Sequence, residues 1–274
     1  MQRPEPPDAL LFVTDLDGTL LDEKTYSFEP ARPALRALAR HGATLVLASS
    51  KTRAEMEPLA RRLGLRPPLI VENGGAILIP RARRGYDAIA IGVGHAELVR
   101  ALAEIAREAA ATPRGLSSLS PAAVSRLTGL SRDAARRALD RAHDEPFLLE
   151  DESLAPALAA AASRRGLRVT RGGRFFHLTG DVDKGRAFRE LLSRLAHPGR
   201  RFVTVGLGDA ANDLSLLRAV DRPILVPRPG GRLDPELARA LPEAERAPLP
   251  GPAGWNAAVS SVLEGRTLPR AGGD

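Results

Sequence analysis

LLFVTDLDGT (residues 10–19) is the stretch that decides the fold. Five mainly apolar residues end at two carboxylates and a glycine, which is typical of a buried parallel strand that leads into a functional turn. Residues two apart on an extended backbone point to the same side, so the carboxylates of Asp15 and Asp17 are predicted to meet where the strand ends. Because two such anions repel unless a cation lies between them, the pair indicates a metal site. The alternative is a polar turn that ends at Gly18.

A strand–helix rhythm continues from this stretch. Apolar residues recur at helical spacing over 29–40, and an apolar strand is predicted at 43–48. A second helix over 52–63 precedes a short strand at 69–71. Alternation of strands and helices predicts a parallel sheet. Asn-Gly at 73–74, before the apolar residues 76–79, predicts a hairpin.

The same rhythm returns after a different middle region. A helix over 183–195 and a strand at 202–205 resume the pattern, whereas 84–178 has two amphipathic helices (95–111 and 131–142) and scattered strand-like pieces. We therefore predict an α/β fold, in which a doubly wound parallel-sheet (Rossmann-like) core from 1–83 and 179–274 carries an inserted α/β cap at 84–178. The Pro/Gly-rich residues 247–254 and the tail after 265 are predicted to be loops.

Three further segments place polar side chains where strands end or helices begin. Residues 49–51 (Ser-Ser-Lys) lie between a strand and a helix N-terminus, which suits an anion, although they can instead cap the helix. Lys184 opens a helix, and its compact ammonium can bridge a phosphate and an aspartate, although a lysine of this kind is more often an exposed surface residue. Asp209 and Asp213 lie four apart at a helix start, so both can face a site or simply stabilise the helix N-terminus.

Composition narrows the function classes. The chain has no cysteine, which excludes disulfides, thiolate nucleophiles and thiolate metal sites, so carboxylates would hold a hard ion such as magnesium. A net charge of +7 would suit nucleic acid, but seven Phe, two Tyr and one Trp offer few stacking platforms, so a non-enzymatic nucleic-acid binder is only a distant alternative. Without an apolar run of about 18 residues or a secretory N-terminal pattern, we expect a cytoplasmic protein with no membrane partner.

Four motifs together resemble the haloacid dehalogenase superfamily of phosphotransferases over the whole chain. They are DLDGTLLD at 15–22, SSK at 49–51, Lys-Gly at 184–185 and GDAAND at 208–213. The resemblance implies that Asp15 attacks phosphorus, that Asp17 is the general acid and base, and that Lys184 completes the catalytic set. It implies a phosphate site that includes Ser49 or Ser50, Lys184 and Asn212. The implied cofactor is Mg²⁺, with Asp15, Asp17 through its main-chain carbonyl and Asp209 as ligands, and with Asp213 as a ligand directly or through water.

A cap between the second and third motifs is similar to that of the Cof-type sugar phosphatases, and finer strings resemble the mannosyl-3-phosphoglycerate phosphatases. These strings are SSKTRAEM (49–56), LIVENGGAI (69–77), HDEPFLLE (143–150) and GRFFHLTGDVDKGRA (173–187). The resemblance implies hydrolysis of mannosyl-3-phosphoglycerate to mannosylglycerate and phosphate through an aspartyl-phosphate, a step of compatible-solute synthesis. A Cof-type enzyme for another sugar phosphate would share every catalytic residue and is the alternative.

The cap is rich in arginine, which suits a small substrate that carries a carboxylate as well as a phosphate. Each charged cap residue can equally be a solvated surface group. The predicted substrate contacts are Lys51, Arg141, Glu145, Arg171, Arg174 and His177.

Overall fold

A computed structural model describes residues 9–172, 174–196 and 201–272. The chain divides into two compact units, which we call the first unit (Met1–Ser49 and Lys184–Asp274) and the second unit (Ser50–Asp183). The predicted cap at 84–178 lies within the second unit, which also takes in residues 50–83 and 179–183. Its role as a separate substrate-specificity domain stays a prediction. No helix in the described part of the chain is both long and apolar enough to cross a membrane.

The elements follow one another in this order. The strands are β1 (Ala9–Thr14), β2 (Thr44–Ala48), β3 (Leu69–Val71), β4 (Ala76–Pro80), β5 (Tyr86–Ala90), β6 (Arg114–Gly115), β7 (Asp144–Leu148), β8 (Leu167–Gly172), β9 (Phe175–Gly180), β10 (Phe202–Gly208), β11 (Arg222–Leu225) and β12 (Glu245–Arg246). The helices are α1 (Arg32–Arg40), α2 (Arg53–Arg62), α3 (His95–Glu108), α4 (Pro121–Thr128), α5 (Arg132–Leu139), α6 (Ala155–Ser163), α7 (Lys184–Leu195), α8 (Leu214–Leu217), α9 (Pro235–Ala240) and α10 (Gly251–Leu263).

The first unit is built on parallel strands in the order β12-β11-β10-β1-β2. Its central strands β10, β1 and β2 are mainly apolar, as expected for strands covered on both faces, and Phe12 and Leu207 are fully buried. Trp255 of α10 is also fully buried, and its indole Nε1–H donates to the Thr14 hydroxyl (3.0 Å). The predicted α/β fold with a parallel core sheet is confirmed.

The second unit has antiparallel strands. The predicted hairpin joins β3 and β4, which pair antiparallel, and β5 extends the run. A further sheet has the order β6-β7-β9-β8. Helices α3 and α6 pack with this sheet around a core that includes Phe147, Leu158 and Leu178. Helices α4 and α6 were not predicted, because α4 is short and the apolar residues of α6 are mostly alanines that show little amphipathic contrast.

The prediction of a loop over 247–254 is wrong for its second half, because α10 begins at Gly251. Pro252 lies in the first turn, where the N–H that proline lacks would have no helical partner anyway. Gly254 is required by close packing, since a Cβ there would lie 1.6 Å from the carbonyl oxygen of Leu249. Proline and glycine at these positions therefore allow the helix to start.

Candidate active site

The carboxyl ends of neighbouring parallel strands bring the predicted residues of the first unit together. Thr14 of β1 is in register with Leu47 of β2 and with Leu207 of β10. Asp15 follows β1 directly, and its backbone N–H donates to the carbonyl of Leu207 (2.9 Å). Ser49 follows β2 and Asp209 follows β10, so all three lie at the edge of the sheet where α/β proteins bind ligands.

Lys184 is the first residue of α7 and is almost fully buried. Its ammonium Nζ donates to Asp15 Oδ1 (2.6 Å) and to Asp213 Oδ1 (2.7 Å). Burial alone would lower the pKa of Lys184, but the attraction of the two carboxylates outweighs it and raises the pKa above its ordinary value. The ammonium is therefore a permanent positive charge between two aspartates.

The aspartates carry more negative charge than Lys184 can balance. Burial and repulsion by Asp213 raise the pKa of Asp15 well above its ordinary value, although Lys184 opposes the shift. Burial and the same repulsion raise the pKa of Asp209 to about 7, although the Thr19 hydroxyl, which donates to Asp209 Oδ1 (2.8 Å), opposes it. Raised carboxyl pKa values at neighbouring buried sites indicate that a further cation would be bound favourably.

A group of three buried carboxylates can hold that cation. Asp15, Asp209 and Asp213 each offer an oxygen, and these oxygens lie within 4.8 Å of one another. The donors are all carboxylate oxygens, so they fit a hard divalent ion such as Mg²⁺. The Asp17 carboxylate is not one of the three, but its charge contributes to the raised pKa of Asp15, so it lies close by.

Gly18 allows this close approach. Its φ of 82° is in the left-handed region, which favours glycine, and a Cβ at this position would lie 2.7 Å from Asp209 Oδ2. Thr19, which sequence reasoning missed, is fully buried beside Asp209. Its position directly after the two aspartates and Gly18 was the available signal.

The predicted phosphate-binding residues occupy different settings. Ser49 is buried in the first unit, and Asn212 lies half-buried in the turn at 211–213. Ser50 is half-buried in the second unit, where its carbonyl accepts a hydrogen bond from Arg141 Nη1 (3.2 Å). The cap of helix α2 is Thr52, which forms a capping box with Glu55, so helix capping does not account for either serine.

The predicted cap residues separate into paired and surface groups. Arg141 Nη1 (2.9 Å) and His177 Nδ1 (2.8 Å) both contact Asp144 Oδ2, and Asp144 is fully buried. Glu145 is also buried, and its carboxylate contacts His95 Nε2 (2.5 Å) and the hydroxyl of Ser117 (2.7 Å).

The remaining predicted contacts are less constrained. Arg171 pairs with the exposed Glu152, and Arg174 donates to the carbonyl of Leu127. The carbonyl of Lys51 accepts from the backbone N–H of Glu72 (3.0 Å). Asp144, which was not among the predicted residues, links Arg141 to His177 through the two contacts described above.

The sequence is similar to those of known proteins. Residues 12–106 match the model of a family described as haloacid dehalogenase-like hydrolase. A glucosyl-3-phosphoglycerate/mannosyl-3-phosphoglycerate phosphatase of Methanococcoides burtonii is 38% identical over 92% of this chain and 97% of its own length. A protein of the same name from Persephonella marina is 36% identical over 93% of this chain and 97% of its own length.

Solved structures share the fold. A crystal structure of a Thermoplasma acidophilum protein superposes with a TM-score of 0.69 at 17% identity, over 94% of this chain and 99% of that one. At 17% identity, this similarity supports the fold alone.

Proposed function

The chain belongs to the haloacid dehalogenase-like hydrolase family, and from this premise we propose that it is a phosphatase that releases phosphate from a glycosyl-3-phosphoglycerate. The observation that carries the proposal is the buried ammonium of Lys184 between Asp15 and Asp213, beside the third carboxylate of Asp209. This arrangement pairs a candidate nucleophile with fixed positive charge and offers three carboxylate oxygens that can hold a divalent cation.

Asp15 is the proposed nucleophile. Its Oδ1 accepts from Lys184 Nζ, and it directly follows β1 at the edge of the sheet where α/β proteins bind ligands. Attack on phosphorus forms a bond between the carboxylate oxygen and phosphorus and breaks the bond to the ester oxygen of the substrate. This step forms an aspartyl-phosphate, and the departing ester oxygen needs a proton.

Asp17 is the proposed acid and base. It protonates the leaving oxygen as the ester bond breaks, so the sugar product departs as a neutral alcohol. The ionised Asp17 then takes a proton from water, which attacks phosphorus and breaks the bond to Asp15. Phosphate is released and both aspartates return to their starting states.

The cofactor is proposed to be Mg²⁺, held by Asp15, Asp209, Asp213 and the main-chain carbonyl of Asp17. When bound, the ion supplies positive charge that stabilises the phosphoryl oxygens. Lys184 neutralises part of the carboxylate charge, so that a phosphate dianion can approach Asp15. Ser49 or Ser50 and Asn212 are proposed to bind the remaining phosphoryl oxygens.

The proposed substrate class is based on the similar proteins of known name. Two proteins named for glucosyl- and mannosyl-3-phosphoglycerate align with almost the whole chain at 36% and 38% identity, which supports the same substrate class here. Arg141 and His177 are proposed to contact the sugar or the glycerate carboxylate, because the buried Asp144 positions both. A Cof-type enzyme for another sugar phosphate is the alternative.

A substrate panel tests the proposal. Phosphate release with Mg²⁺ would be measured for mannosyl- and glucosyl-3-phosphoglycerate, 3-phosphoglycerate, mannose 6-phosphate and an aryl phosphate. We expect kcat/KM to be highest for one of the two glycosyl-3-phosphoglycerates and EDTA to abolish turnover. A higher kcat/KM for mannose 6-phosphate would favour the alternative.

The variant Asp15→Asn tests the catalytic mechanism independently of the preferred substrate. Asp15→Asn keeps the shape of the side chain but removes the attacking charge, so kcat should fall by about 1,000-fold or more on every substrate. Near-normal turnover by folded Asp15→Asn protein would contradict the assignment of the nucleophile, whatever the preferred substrate.

A further inference from the structure

The loop after β11 brings an arginine to the carboxylate group, although no sequence motif marks it. The backbone N–H of Val226 donates to the carbonyl of Gly208 (2.9 Å), which ties the loop to the residue before Asp209. The N–H of Arg228 donates to the carbonyl of Arg232, and the N–H of residue 231 donates to the carbonyl of Arg228, both at 2.9 Å. The backbone of Arg228 is therefore held by a closed turn.

The Arg228 side chain is also held in place. Its Nη2 lies 2.8 Å from Asp234 Oδ2, and its Nε lies 4.0 Å from Asp209 Oδ2. Asp234 is buried, and its Oδ1 caps α9 by accepting from the N–H groups of Glu236 (2.9 Å) and Leu237 (3.0 Å). A carboxylate fixed at both oxygens is a rigid anchor, so the guanidinium stays beside Asp209.

Among the described residues, the side chains of Lys184 and Arg228 place positive charge beside the carboxylates. Lys184 bonds Asp15 and Asp213, whereas Asp209 accepts from the Thr19 hydroxyl at one oxygen and faces Arg228 at the other. Arg228 is partly exposed, with 44% of its side chain accessible. It can therefore act on ions that enter the site from solvent.

We propose that Arg228 is a positioning residue whose fixed positive charge beside Asp209 weakens the binding of free Mg²⁺ and strengthens the binding of phosphate to the Mg²⁺-loaded site. The inference rests on the proposed function, because it concerns the same metal and phosphoryl site. A fixed cation repels a divalent cation and attracts a phosphate dianion. The metal and the phosphate are thereby favoured as a pair over the metal alone.

The opposite signs of the two effects make the inference testable. A unit charge that acts on a doubly charged ion across several ångströms of partly hydrated protein changes a dissociation constant by about 5- to 30-fold at low salt. Damage to the site would weaken the binding of both ligands. Only the loss of a fixed positive charge tightens Mg²⁺ binding while it weakens phosphate binding.

The experiment is calorimetric titration of the full chain at low ionic strength. Mg²⁺ is titrated into metal-free protein, and inorganic phosphate into protein saturated with Mg²⁺. In Arg228→Gln we expect the Kd for Mg²⁺ to fall by about 5- to 30-fold and the Kd for phosphate to rise by about 3-fold or more. Arg228→Lys should lie close to the wild type, because it keeps the charge.

Arg239→Gln is the matched control. It removes the same charge from an exposed position on the neighbouring helix α9 and should change both constants by less than about 2-fold. Arg228→Ala serves as a second charge-removing variant, with the same expected signs, if the glutamine variant melts at a lower temperature.

Two results would overturn the inference. They are an unchanged or larger Kd for Mg²⁺ in both charge-removing variants, and a Kd for phosphate that does not rise. Neither result would contradict the phosphatase assignment, because that assignment is tested by a different measurement. It would be contradicted if the wild type turned over no phosphate ester.

Discussion

Replacement of Lys184 by methionine tests the charge balance of the site. The ammonium is 1% exposed and bonds Asp15 and Asp213 at 2.6 and 2.7 Å, so its loss leaves two buried carboxylates without their partner. Removal of one partner of a buried ion pair costs about 3–5 kcal/mol of unfolding free energy. In a chain of this size, that loss corresponds to a fall in Tm of about 6–20 °C.

Mg²⁺ should reverse part of this loss. A divalent cation would supply positive charge to the same carboxylates, so the difference in Tm between Lys184→Met and the wild type should be smaller in Mg²⁺ than in EDTA. Thermal unfolding followed by circular dichroism in both buffers measures the two differences. Arg189→Met removes a charge from an exposed position on the same helix and should change stability by less than about 0.5 kcal/mol.

Two results would refute this reasoning. A destabilisation by Lys184→Met of less than about 1 kcal/mol in EDTA would mean that the buried carboxylates are neutral or otherwise compensated in the folded protein. Equal destabilisation in Mg²⁺ and in EDTA would mean that the ion does not share the carboxylates with Lys184. The first result would contradict the charge balance, and the second the location of the metal.

Two further variants test particular hydrogen bonds. The hydrogen bond to Glu145 raises the pKa of His95, against the effect of burial. Because the folded pKa lies above the unfolded value of about 6.5, this stabilisation is complete below pH 6 and is lost as the pH rises through the folded value. His95→Gln should therefore cost about 1–2 kcal/mol at pH 5.5 and less at pH 9 in urea unfolding, and equal costs would contradict the pairing. Thr19→Val removes the hydroxyl that holds Asp209 and should weaken Mg²⁺ binding by about 10-fold in calorimetry, whereas Thr19→Ser should bind normally.

The elements that sequence reasoning placed well have strong local signals. Strand β3 was predicted at its observed bounds, and β1 and β2 each within one residue. Each is a short apolar run that ends at glycine, polar or charged residues, so burial on both faces can be inferred without knowledge of the neighbouring strands. The hairpin between β3 and β4 was equally clear, because Asn-Gly at 73–74 favours a tight turn.

The failures share a physical cause, which is that the deciding contact depends on the folded geometry and not on the local pattern of residue types. Helix α10 was missed because its first turn is rich in proline and glycine, and the close approach of the Leu249 carbonyl explains why glycine is required at position 254. In the second unit, sequence reasoning could name Arg141 and His177 but not their common partner. Asp144 became evident only from the pairing of β7 with β9, which sets the side chains of the two strands against each other.

The same limit applies to the candidate active site, but in a more specific way. The residue types and their spacing single out the aspartates, because strand ends and helix starts position them locally. Lys184 was singled out by the resemblance to a family and the order of its motifs. Their electrostatics depend on neighbours that no spacing reveals, such as Thr19 and Arg228 around Asp209. In a chain with 40 lysines and arginines, Arg228 has no distinctive sequence context, and only its anchor Asp234 distinguishes it from a solvated surface charge. The affinity of this site for a cation therefore depends on the fold. The motifs contain the aspartates and Lys184, whereas Arg228 lies outside every motif and reaches Asp209 only in the folded chain.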